Sequence, residues 1–210
     1  MIDDKKTEKI KHRYNRISKL YDLIEKPMEY MFSKHRSEML LQTKGKVLEV
    51  GAGTGKNFQH YPRGVEVTAI DFSPAMVKIA SSKAAKLENI KNVIEMDAEN
   101  MAFDDNTFDT VVTSYVFCSV PHPVKGLKEI KRVCKNGGKV LMLEHVKSKK
   151  PVIAPLMDVM NPIPLHFYGA NINRNTVENL YKAGFTNITV KDLWLDILKL
   201  IIITNNKKTI

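Results

Sequence analysis

The sequence predicts an α/β fold in which a mostly parallel, seven-stranded sheet, with one antiparallel strand, carries helices on both faces. Three observations predict this fold. Short β-branched runs alternate with helical patterns along residues 45–146. The first run, residues 47–50, ends in a glycine-rich turn of the kind that joins a strand to a helix in open sheets. The chain has 210 residues, is 43% hydrophobic and shows no repeat or linker, so we expect a single domain over residues 1–210.

Residues 1–44 are expected to form a cap of two helices between positions 7 and 42. In the first helix, apolar and aromatic side chains recur at steps of three and four residues, at Ile10, Tyr14, Ile17 and Tyr21. Asp22 is expected to cap the second helix, and Pro27 falls in its first turns, where proline is tolerated. The second helix is rich in methionine and flanked by basic residues, so we expect it to cover a ligand site or to touch a membrane interface.

Residues 45–146 are expected to hold the core of the sheet. Five strands are predicted there, at residues 47–50, 65–70, 92–96, 108–113 and 139–145. Ser73 and Pro74 predict a helix start after the second strand, because serine caps helices and proline is preorganised for the first helical turn. The Asn136-Gly137-Gly138 run is expected to end the helix that precedes the fifth strand.

Residues 147–172 interrupt this alternation with an apolar stretch whose four prolines rule out one continuous helix. We expect an irregular lid insertion over an acceptor site, since apolar, irregular backbone must cover something to be stable. Residues 173–210 are expected to form a helix that ends at Gly184, followed by two strands at 186–190 and 198–204. The short connection between these strands implies a hairpin, and therefore one antiparallel strand.

The glycine turn distinguishes between two classes of nucleotide-like ligand. Its glycines are Gly51, Gly53 and Gly55, whereas the dinucleotide fingerprint has its third glycine one place later. Glu49 precedes the turn by two residues, where a carboxylate would repel a pyrophosphate and attract a ligand with an amino group. The alternative is a purely structural turn without a ligand.

Acidic residues at the ends of the next two strands fit a ligand that carries a ribose and a base. Asp71 lies 20 residues after Gly51, the spacing at which a strand-end carboxylate meets ribose hydroxyls. Asp97 follows the third strand and can accept a hydrogen bond from an exocyclic amine. Asp71 alone would suggest a helix-capping acid, but together with the glycine turn it indicates ligand contact.

Together these features resemble the class I S-adenosylmethionine (AdoMet) methyltransferases. The resemblance covers roughly residues 45–205 and rests on the turn from Glu49 to Gly55, Asp71, Asp97-Ala98, and the Phe108-Asp109 strand followed by Asn136-Gly137-Gly138. It implies a Rossmann-like sheet, AdoMet as the cofactor and S-adenosylhomocysteine as the product. Asn136 replaces the proline that the family usually has before the two glycines, at a turn where nothing catalytic is expected.

The resemblance also implies which residues meet the cofactor. The glycine turn and Glu49 would hold the methionine part, Asp71 the ribose, and Asp97-Ala98 the adenine. Ser114, directly after the fourth strand, would lie near the sulfonium. The full set expected to bind the cofactor is Glu49, Gly51, Gly53, Thr54, Gly55, Asn57, Asp71, Phe72, Met76, Asp97, Ala98 and Ser114.

Two further segments narrow the resemblance to enzymes with lipophilic acceptors. The segment 13–22 is similar to the opening of ubiquinone/menaquinone-biosynthesis and bacterial phospholipid N-methyltransferases, and 169–176 is similar to a segment of phospholipid and thiol methyltransferases. The implied acceptor is a phospholipid amine such as phosphatidylethanolamine, or a demethylmenaquinone-type ring. A thiol or another small molecule is the alternative.

The sequence does not identify a catalytic base. Methyl transfer to a neutral amine or a phenol oxygen needs prior proton removal, and His145, at a strand end, is the best-placed candidate. Weaker candidates are Tyr21, His122, His166 and Tyr168. For each of these residues the alternative is a packing or solvated role. The histidines and cysteines show no metal-ligand spacing, so no metal is expected.

The charge of the chain favours anionic partners. The formal net charge is +10, and residues 1–46 hold twelve Lys/Arg against seven Asp/Glu, which is half of the excess. A lipid surface or nucleic acid would fit this balance, and a lysine-rich composition without function would explain it equally well. Nucleic acid is the less favoured partner, because residues 113–116 lack an Asn/Asp-Pro-Pro-aromatic run and neither cysteine follows a proline. An AdoMet-binding module without turnover is the non-enzymatic alternative.

Neither a signal peptide nor a membrane-spanning segment is expected. The first twenty residues are highly charged, and the longest apolar run, residues 200–203, is far shorter than the roughly 20 residues that a spanning helix needs. Two cysteines without a disulfide framework fit a reducing compartment. We therefore expect a cytoplasmic protein, either free or in peripheral contact with the inner face of an anionic membrane.

Overall fold

A computed structural model describes residues 4–167 and 169–207, with the side chains of all of these except Asp4, Lys6 and Met28. Seven strands of the described residues form one sheet in the order β3-β2-β1-β4-β5-β7-β6. Their bounds are β1 Lys46–Val50, β2 Glu66–Asp71, β3 Ile90–Glu95, β4 Phe108–Ser114, β5 Cys134–His145, β6 Asn187–Trp194 and β7 Leu198–Thr204. β7 is antiparallel to both neighbours, and the pairs among β1 to β5 are parallel. The predicted fold class is confirmed.

Seven helices of the described residues surround the sheet. Their bounds are α1 Asp4–Ile24, α2 Lys26–Leu40, α3 Pro74–Ala84, α4 Pro123–Val133, α5 Ile153–Met160, α6 Pro162–Phe167 and α7 Thr176–Lys182, with a 3₁₀ turn at Phe58–His60. The predicted start of α3 is confirmed, because the Ser73 side chain accepts a bond from the backbone N–H of Met76 and Pro74 is the first helical residue. No helix in the described part of the chain is long and apolar enough to cross a membrane.

The two faces of the sheet build two hydrophobic cores. Leu48 and Val50 of β1 point into one core, and Val47 points into the other, as the twofold alternation of a strand requires. All three side chains are fully buried, because helices cover both faces of the central parallel strands. This rigid centre fixes the positions of the loops that follow β1, β2 and β4.

Helix α1 lies across those loops, at the carboxyl ends of the strands. The Tyr14 hydroxyl is 2.6 Å from Ser119 Oγ, beyond β4, and Asn15 Oδ1 accepts a 2.7 Å bond from Ser73 Oγ, beyond β2. Asp22 Oδ1 accepts a 2.5 Å bond from Thr54 Oγ1 in the glycine turn. The prediction that Asp22 caps α2 was wrong. Asp22 lies within α1, and the residue that precedes α2 is Glu25.

The expected irregular lid is a helical hairpin instead. Pro155 is the third residue of α5, and Pro162 and Pro164 are the first and third residues of α6. Proline is tolerated in the first turn of a helix, so two short helices accommodate these residues where one long helix could not. The prediction of no continuous helix was therefore right, and the prediction of irregular backbone was wrong. We call α5 and α6, residues 153–167, the lid hairpin.

The junction between α4 and β5 also differs from expectation. Helix α4 ends at Val133, and Cys134 already pairs with Phe108 of β4. The pairing then shifts register, so the Asn136-Gly137-Gly138 run lies in an irregularity of β5, with Gly137 at φ +75°. Strand pairing, rather than a left-handed glycine cap, ends the helix, and the strand begins five residues earlier than predicted.

Candidate active site

The glycine turn begins directly after β1. The backbone N–H groups of Gly51 and Ala52 both donate to the Ile70 carbonyl, at 2.8 and 2.9 Å, so the turn folds back against β2. Gly51 has φ +74°, and a Cβ added there would lie 2.4 Å from Val116 Cγ2. Gly53 has φ +54° with nothing within 4 Å of such a Cβ. Both positions favour glycine by backbone conformation, and Gly51 also requires it by contact.

Asp71 joins the loop after β2 to the glycine turn. Its Oδ2 accepts a 2.8 Å bond from Gly53 N–H, and its Oδ1 accepts a 2.9 Å bond from Ser73 N–H. Burial raises the pKa of Asp71 to about 6, against the opposing effect of these two N–H donors. A carboxylate has about four acceptor sites, so Asp71 retains capacity for the hydroxyls of a ligand.

Glu49 lies beneath the glycine turn in a buried network. Its Oε1 accepts a 2.8 Å bond from Asn57 Nδ2, and its Oε2 accepts a 2.8 Å bond from the Tyr61 hydroxyl. Arg36 of α2 donates to Asn57 Oδ1 at 2.5 Å and forms a 2.9 Å ion pair with Glu29. Burial raises the pKa of Glu49 to about 7. Hydrogen bonds therefore connect helix α2 of the cap to the glycine turn. Sequence periodicity does not indicate this connection.

Two connected chambers open along the strand ends. The first is lined by residues of β1, β2, the loops after β3 and β4, and α1, among them Tyr14, Tyr21, Gly51, Gly53, Asp71, Phe72, Met76, Asp97, Ala98, Ser114, Ser119 and Val120. The second is lined by Tyr21, Glu25, Arg36, Glu49, Gly51, Ala52, Gly53, Thr54, Lys56, Asn57, Ser114 and Tyr115. They meet at Tyr21, Gly51, Gly53, Ser114 and Tyr115. We call the two chambers together the cofactor cleft.

The loop after β4 forms one wall of the cleft and is held by a buried acid. Glu144 of β5 accepts bonds from Thr113 Oγ1 at 2.8 Å and from the backbone N–H groups of Val116 and Phe117 at 3.3 and 3.2 Å. Tyr115 has φ +58°, a costly conformation for a bulky residue, and it persists because these contacts fix its neighbours. In the sequence, Glu144 is distinguished only as an acid in an otherwise apolar strand.

Eleven of the twelve predicted cofactor residues line the cleft. Gly51, Gly53, Asp71, Phe72, Met76, Asp97, Ala98 and Ser114 line the first chamber, and Glu49, Thr54 and Asn57 line the second. Gly55, with φ +78°, lies on the outer side of the turn against the Phe58 ring. Tyr115 and Ser119, in the segment after β4 that was expected to face the ligand, also line the cleft, and Arg36 lines it without having been predicted.

The predicted base candidates are dispersed. Tyr21 lines both chambers, and burial raises its pKa well above the ordinary value, so its hydroxyl is a donor at neutral pH. His145 ends β5 and has its pKa lowered by burial, His122 precedes α4, and His166 is an exposed residue of α6. Among the described residues, none of these three histidines lines the cleft. Tyr168 lies outside the described residues.

The lid hairpin is tethered beside the cleft by polar contacts. Asp158 of α5 pairs with Lys147 at 2.6 Å and accepts a 2.9 Å bond from Asn173 Nδ2. Asn161 accepts a 2.9 Å bond from the backbone N–H of Ile172. The outer surface of the hairpin exposes large apolar side chains, namely Leu156, Val159, Met160, Ile163 and Phe167, next to Val152.

The cleft is lined by groups that can donate and accept hydrogen bonds to a polar organic ligand. Among residues 4–167 and 169–207, no group of three His, Cys, Asp or Glu side chains could hold a metal ion. Both cysteines, Cys118 and Cys134, are buried and free. The donors and acceptors that remain are a strand-end carboxylate at Asp71, backbone N–H groups of the turn, and a second acid at Asp97.

Comparisons with known proteins agree with this arrangement. A methyltransferase domain family matches residues 48–142. The thiol S-methyltransferase TMT1B of Rattus norvegicus is 32% identical over 176 residues, which cover 81% of this chain and 72% of that enzyme. The demethylmenaquinone methyltransferase of Staphylococcus aureus is 34% identical over 162 residues, covering 72% and 67%. The chain belongs to the AdoMet-dependent methyltransferases.

A further relative of this methyltransferase matches over a shorter span. The phosphatidylethanolamine N-methyltransferase of Cereibacter sphaeroides is 42% identical over 113 residues, so the match spans 52% of this chain and 56% of that enzyme. Among solved structures, a possible histamine N-methyltransferase of Thermotoga maritima has a TM-score of 0.71 at 19% identity, covering 94% of this chain and 100% of that chain. This likeness establishes the Rossmann-like fold. The enzyme uses AdoMet, as its family implies.

Proposed function

We propose that this methyltransferase transfers the methyl group of AdoMet to the amine of a phospholipid such as phosphatidylethanolamine. The observation that carries the proposal is the lid hairpin, which is tethered beside the cofactor cleft and exposes Leu156, Val159, Met160, Ile163 and Phe167. Large exposed apolar patches mark sites of lipid or protein contact. The 42% identity to a phosphatidylethanolamine methyltransferase supports the amine as the acceptor.

We assign the cofactor contacts as the cleft arranges them. Asp71 would accept the ribose hydroxyls with its remaining acceptor sites, and Asp97 would accept from the adenine amine. Glu49 lines the second chamber and would attract the amino group of the methionine part. Arg36 and Lys56 line the same chamber, and either cation would bind the methionine carboxylate.

The sulfonium of bound AdoMet supplies the reactive methyl group, so the chain itself has to orient the acceptor and exclude water. Tyr21 and Ser114, where the two chambers meet, would face the reacting centre. An amine acceptor must lose a proton before it attacks. Since no described histidine lines the cleft, we infer that the amine enters in its neutral form or loses its proton to water at the cleft mouth.

A demethylmenaquinone-type ring is the second candidate acceptor. Aromatic side chains line the first chamber, with the Tyr14 and Phe72 rings 5.7 Å apart edge to face and the Tyr14 and Tyr21 rings 6.2 Å apart. Such surfaces stack well on a planar ring. The relative from Staphylococcus aureus acts on demethylmenaquinone by its name, which supports this candidate. A thiol acceptor has support from the name of the rat relative alone.

We also propose that the lid hairpin makes peripheral contact with an anionic membrane surface, at the inner face of the membrane of a cytoplasmic enzyme. Lys149 and Lys150 are exposed and immediately precede the hairpin, so an apolar surface adjoins two cations. This combination is typical of helices that lie in the plane of an interface. The contact would bring a lipid acceptor to the cleft without extracting it into water.

The acceptor is tested by incubating the purified protein with methyl-labelled AdoMet and, in separate reactions, phosphatidylethanolamine vesicles, reduced demethylmenaquinone, an alkyl thiol and RNA. We expect label in the phospholipid. Label in the quinol alone would favour the second candidate, and label only in the thiol or RNA would overturn the proposal. Tight AdoMet binding with no label in any acceptor would indicate a binding module. Asp71→Ala serves as the control for cofactor-dependent label.

A further inference from the structure

Three chain segments meet at the loop after β4, which forms one wall of the cleft. The backbone N–H of Asn171 donates to the Cys118 carbonyl at 2.8 Å, and Arg174 Nη2 donates to the Val120 carbonyl at 2.9 Å. The Arg174 carbonyl in turn accepts a 2.9 Å bond from the backbone N–H of Lys147, just after β5. Val120 is itself a lining residue of the first chamber. Arg174 therefore reaches the wall of the cleft from the side of the lid hairpin.

The positive charge of Arg174 has no acid to balance it within the described residues. None of the ion pairs formed by those residues includes Arg174, and the neighbouring cation, Lys147, is already paired with Asp158. Burial lowers the pKa of Arg174, yet a guanidinium stays charged in proteins. A part-buried charge is costly unless it is paired and hydrogen-bonded.

Arg174 also forms fewer hydrogen bonds than its side chain can donate. A guanidinium has five N–H donors. Among the described residues, the Arg174 side chain forms one hydrogen bond, to the Val120 carbonyl. Its Nε is fully buried and has no hydrogen-bond partner there. If Arg174 served only to hold the loop after β4 in place, its bond to Val120 would suffice. Its buried Nε–H would then be expected to have an acceptor within the protein.

We infer that Arg174 forms an anion subsite of the acceptor site, and that its ligand is the phosphodiester of a phospholipid head group. The inference rests on the proposed function and adds the residue that would bind the head group. The planar fork of arginine matches phosphate oxygens in a bidentate geometry. In an ethanolamine head group the phosphate is two carbons from the amine, so a phosphate held at Arg174 would keep the amine close to Val120 on the wall of the cleft. A neutral quinol or thiol would leave the Arg174 charge unpaired.

The test measures binding separately from methyl transfer. Dihexanoyl-phosphatidylethanolamine is titrated calorimetrically into the protein saturated with S-adenosylhomocysteine, with dihexanoylglycerol as the phosphate-free lipid and inorganic phosphate as the free anion. The variant is Arg174→Gln. The matched control is Lys182→Gln, which removes one positive charge from an exposed residue of α7 that pairs with Glu178. The Arg174→Lys variant retains the positive charge but lacks the planar guanidinium group.

We expect Arg174→Gln to weaken phospholipid binding by about 10- to 100-fold, the value of a charge-assisted hydrogen-bond pair, and to leave S-adenosylhomocysteine affinity unchanged. Arg174→Lys should recover part of the loss, and Lys182→Gln should match the wild type. Equal losses for dihexanoylglycerol and the phospholipid would overturn the subsite, because the effect would then be structural. Inorganic phosphate that binds at Arg174 without competition from the phospholipid would overturn the head-group assignment.

The outcomes separate this inference from the proposed function. If the phospholipid binds through Arg174 and receives no label from AdoMet, the subsite stands and the methyl-transfer proposal fails. If Arg174→Gln methylates phosphatidylethanolamine with an unchanged KM, the function stands and the subsite fails. A wild-type protein that methylates demethylmenaquinol, and does not bind dihexanoyl-phosphatidylethanolamine, would overturn both.

Discussion

The two halves of the active site are built in opposite ways. On the cofactor side, Glu49 and Asp71 are almost fully buried and each carboxylate accepts two hydrogen bonds from the protein. On the lid side, the hairpin exposes apolar side chains such as Val159, and the buried Nε of Arg174 has no hydrogen-bond partner in the described chain. The protein itself supplies hydrogen bonds to the two carboxylates of the first half, whereas we infer that a ligand completes the second half.

Under the proposed function, the two halves would have different tasks. A preorganised cofactor half would fix the position of the sulfonium regardless of the acceptor, and one fold can serve many reactions in this way. The lid half would contribute little to that position and much to the choice of acceptor. Substitutions on the cofactor side should therefore reduce stability or AdoMet affinity, whereas substitutions on the lid side should alter acceptor or membrane binding alone.

The largest effect is expected from Gly51→Ala. Its positive φ costs a non-glycine residue about 1–2 kcal/mol, and the contact of the new Cβ with Val116 adds about 1–3 kcal/mol, so the free energy of unfolding should fall by about 2–5 kcal/mol. Gly53→Ala is the matched control, because its Cβ would meet nothing within 4 Å and only the backbone cost of about 1–2 kcal/mol applies. Denaturant unfolding of both variants measures the difference.

A double variant tests the steric part of the loss in unfolding free energy. The double variant Gly51→Ala/Val116→Ala removes the clashing methyl groups and should recover stability relative to Gly51→Ala with Val116→Ala as the reference. Equal destabilisation of Gly51→Ala and Gly53→Ala would mean that the turn relaxes freely, and the cofactor half would not be rigid in the sense argued above.

A smaller effect is expected for Asp71→Ala, measured as AdoMet affinity. Loss of the charge-assisted bonds to the ribose should weaken binding by about 1.5–3 kcal/mol. Phospholipid binding to the protein should persist, since Asp71 belongs to the cofactor half. Glu95→Ala is the control for charge, because Glu95 is an exposed acid at the end of β3 that pairs with Lys11. An unchanged AdoMet affinity in Asp71→Ala would refute the ribose assignment.

The pH dependence of S-adenosylhomocysteine binding provides a second test of the ribose assignment of Asp71. The pKa of Asp71 is raised from 3.8 to about 6 by burial, and ribose hydroxyls donate to its ionised form. The contribution of Asp71 to S-adenosylhomocysteine affinity should therefore be constant well above pH 6 and fall by up to tenfold per pH unit below it, about 1.4 kcal/mol each. Calorimetry between pH 5 and 8 measures this, and S-adenosylhomocysteine is used because it is stable there.

Asp71→Asn provides the control for that titration. Glu49, with a pKa raised to about 7, titrates in the same cleft, so the difference between the two proteins isolates Asp71. The folded protein also retains the Asp71 proton more tightly than the unfolded chain does, so this group lowers the free energy of unfolding as pH rises from about 4 to 6. An identical pH profile for Asp71→Asn would show that another group controls binding.

The smallest effect is expected on the lid side, from Val159→Ser. Val159 is 77% exposed on α5, and transfer of its side chain from water to a lipid interface is worth about 1 kcal/mol, so binding to anionic vesicles should weaken about fivefold. Val190→Ser makes the same substitution on β6 and should change vesicle binding little. Vesicle sedimentation measures both. Equal losses for the two variants would argue against a membrane contact specific to the lid hairpin.

Local rules explain why so much of the cofactor half could be predicted. Strand β1, the turn at Gly51, the acid Asp71 and the cap at Ser73 all follow from hydrophobic periodicity, glycine conformation and capping within a few residues. The lid hairpin was mispredicted as irregular because prolines in first turns and prolines in loops look alike in sequence. Asp22 was mispredicted as a cap because its partner, Thr54, is distant in the chain.

The sheet, the glycine turn and the acids at the strand ends could be predicted from the sequence, since each depends on neighbouring residues and on the chirality of the backbone. Which distant groups support them depends on how the folded chain packs. Glu144 lies 31 residues from Thr113, and Arg174 lies 54 residues from Val120. Whether a buried charge finds a partner depends on all of the segments that pack around it, and that is why the unpaired guanidinium of Arg174 emerged only from the folded chain.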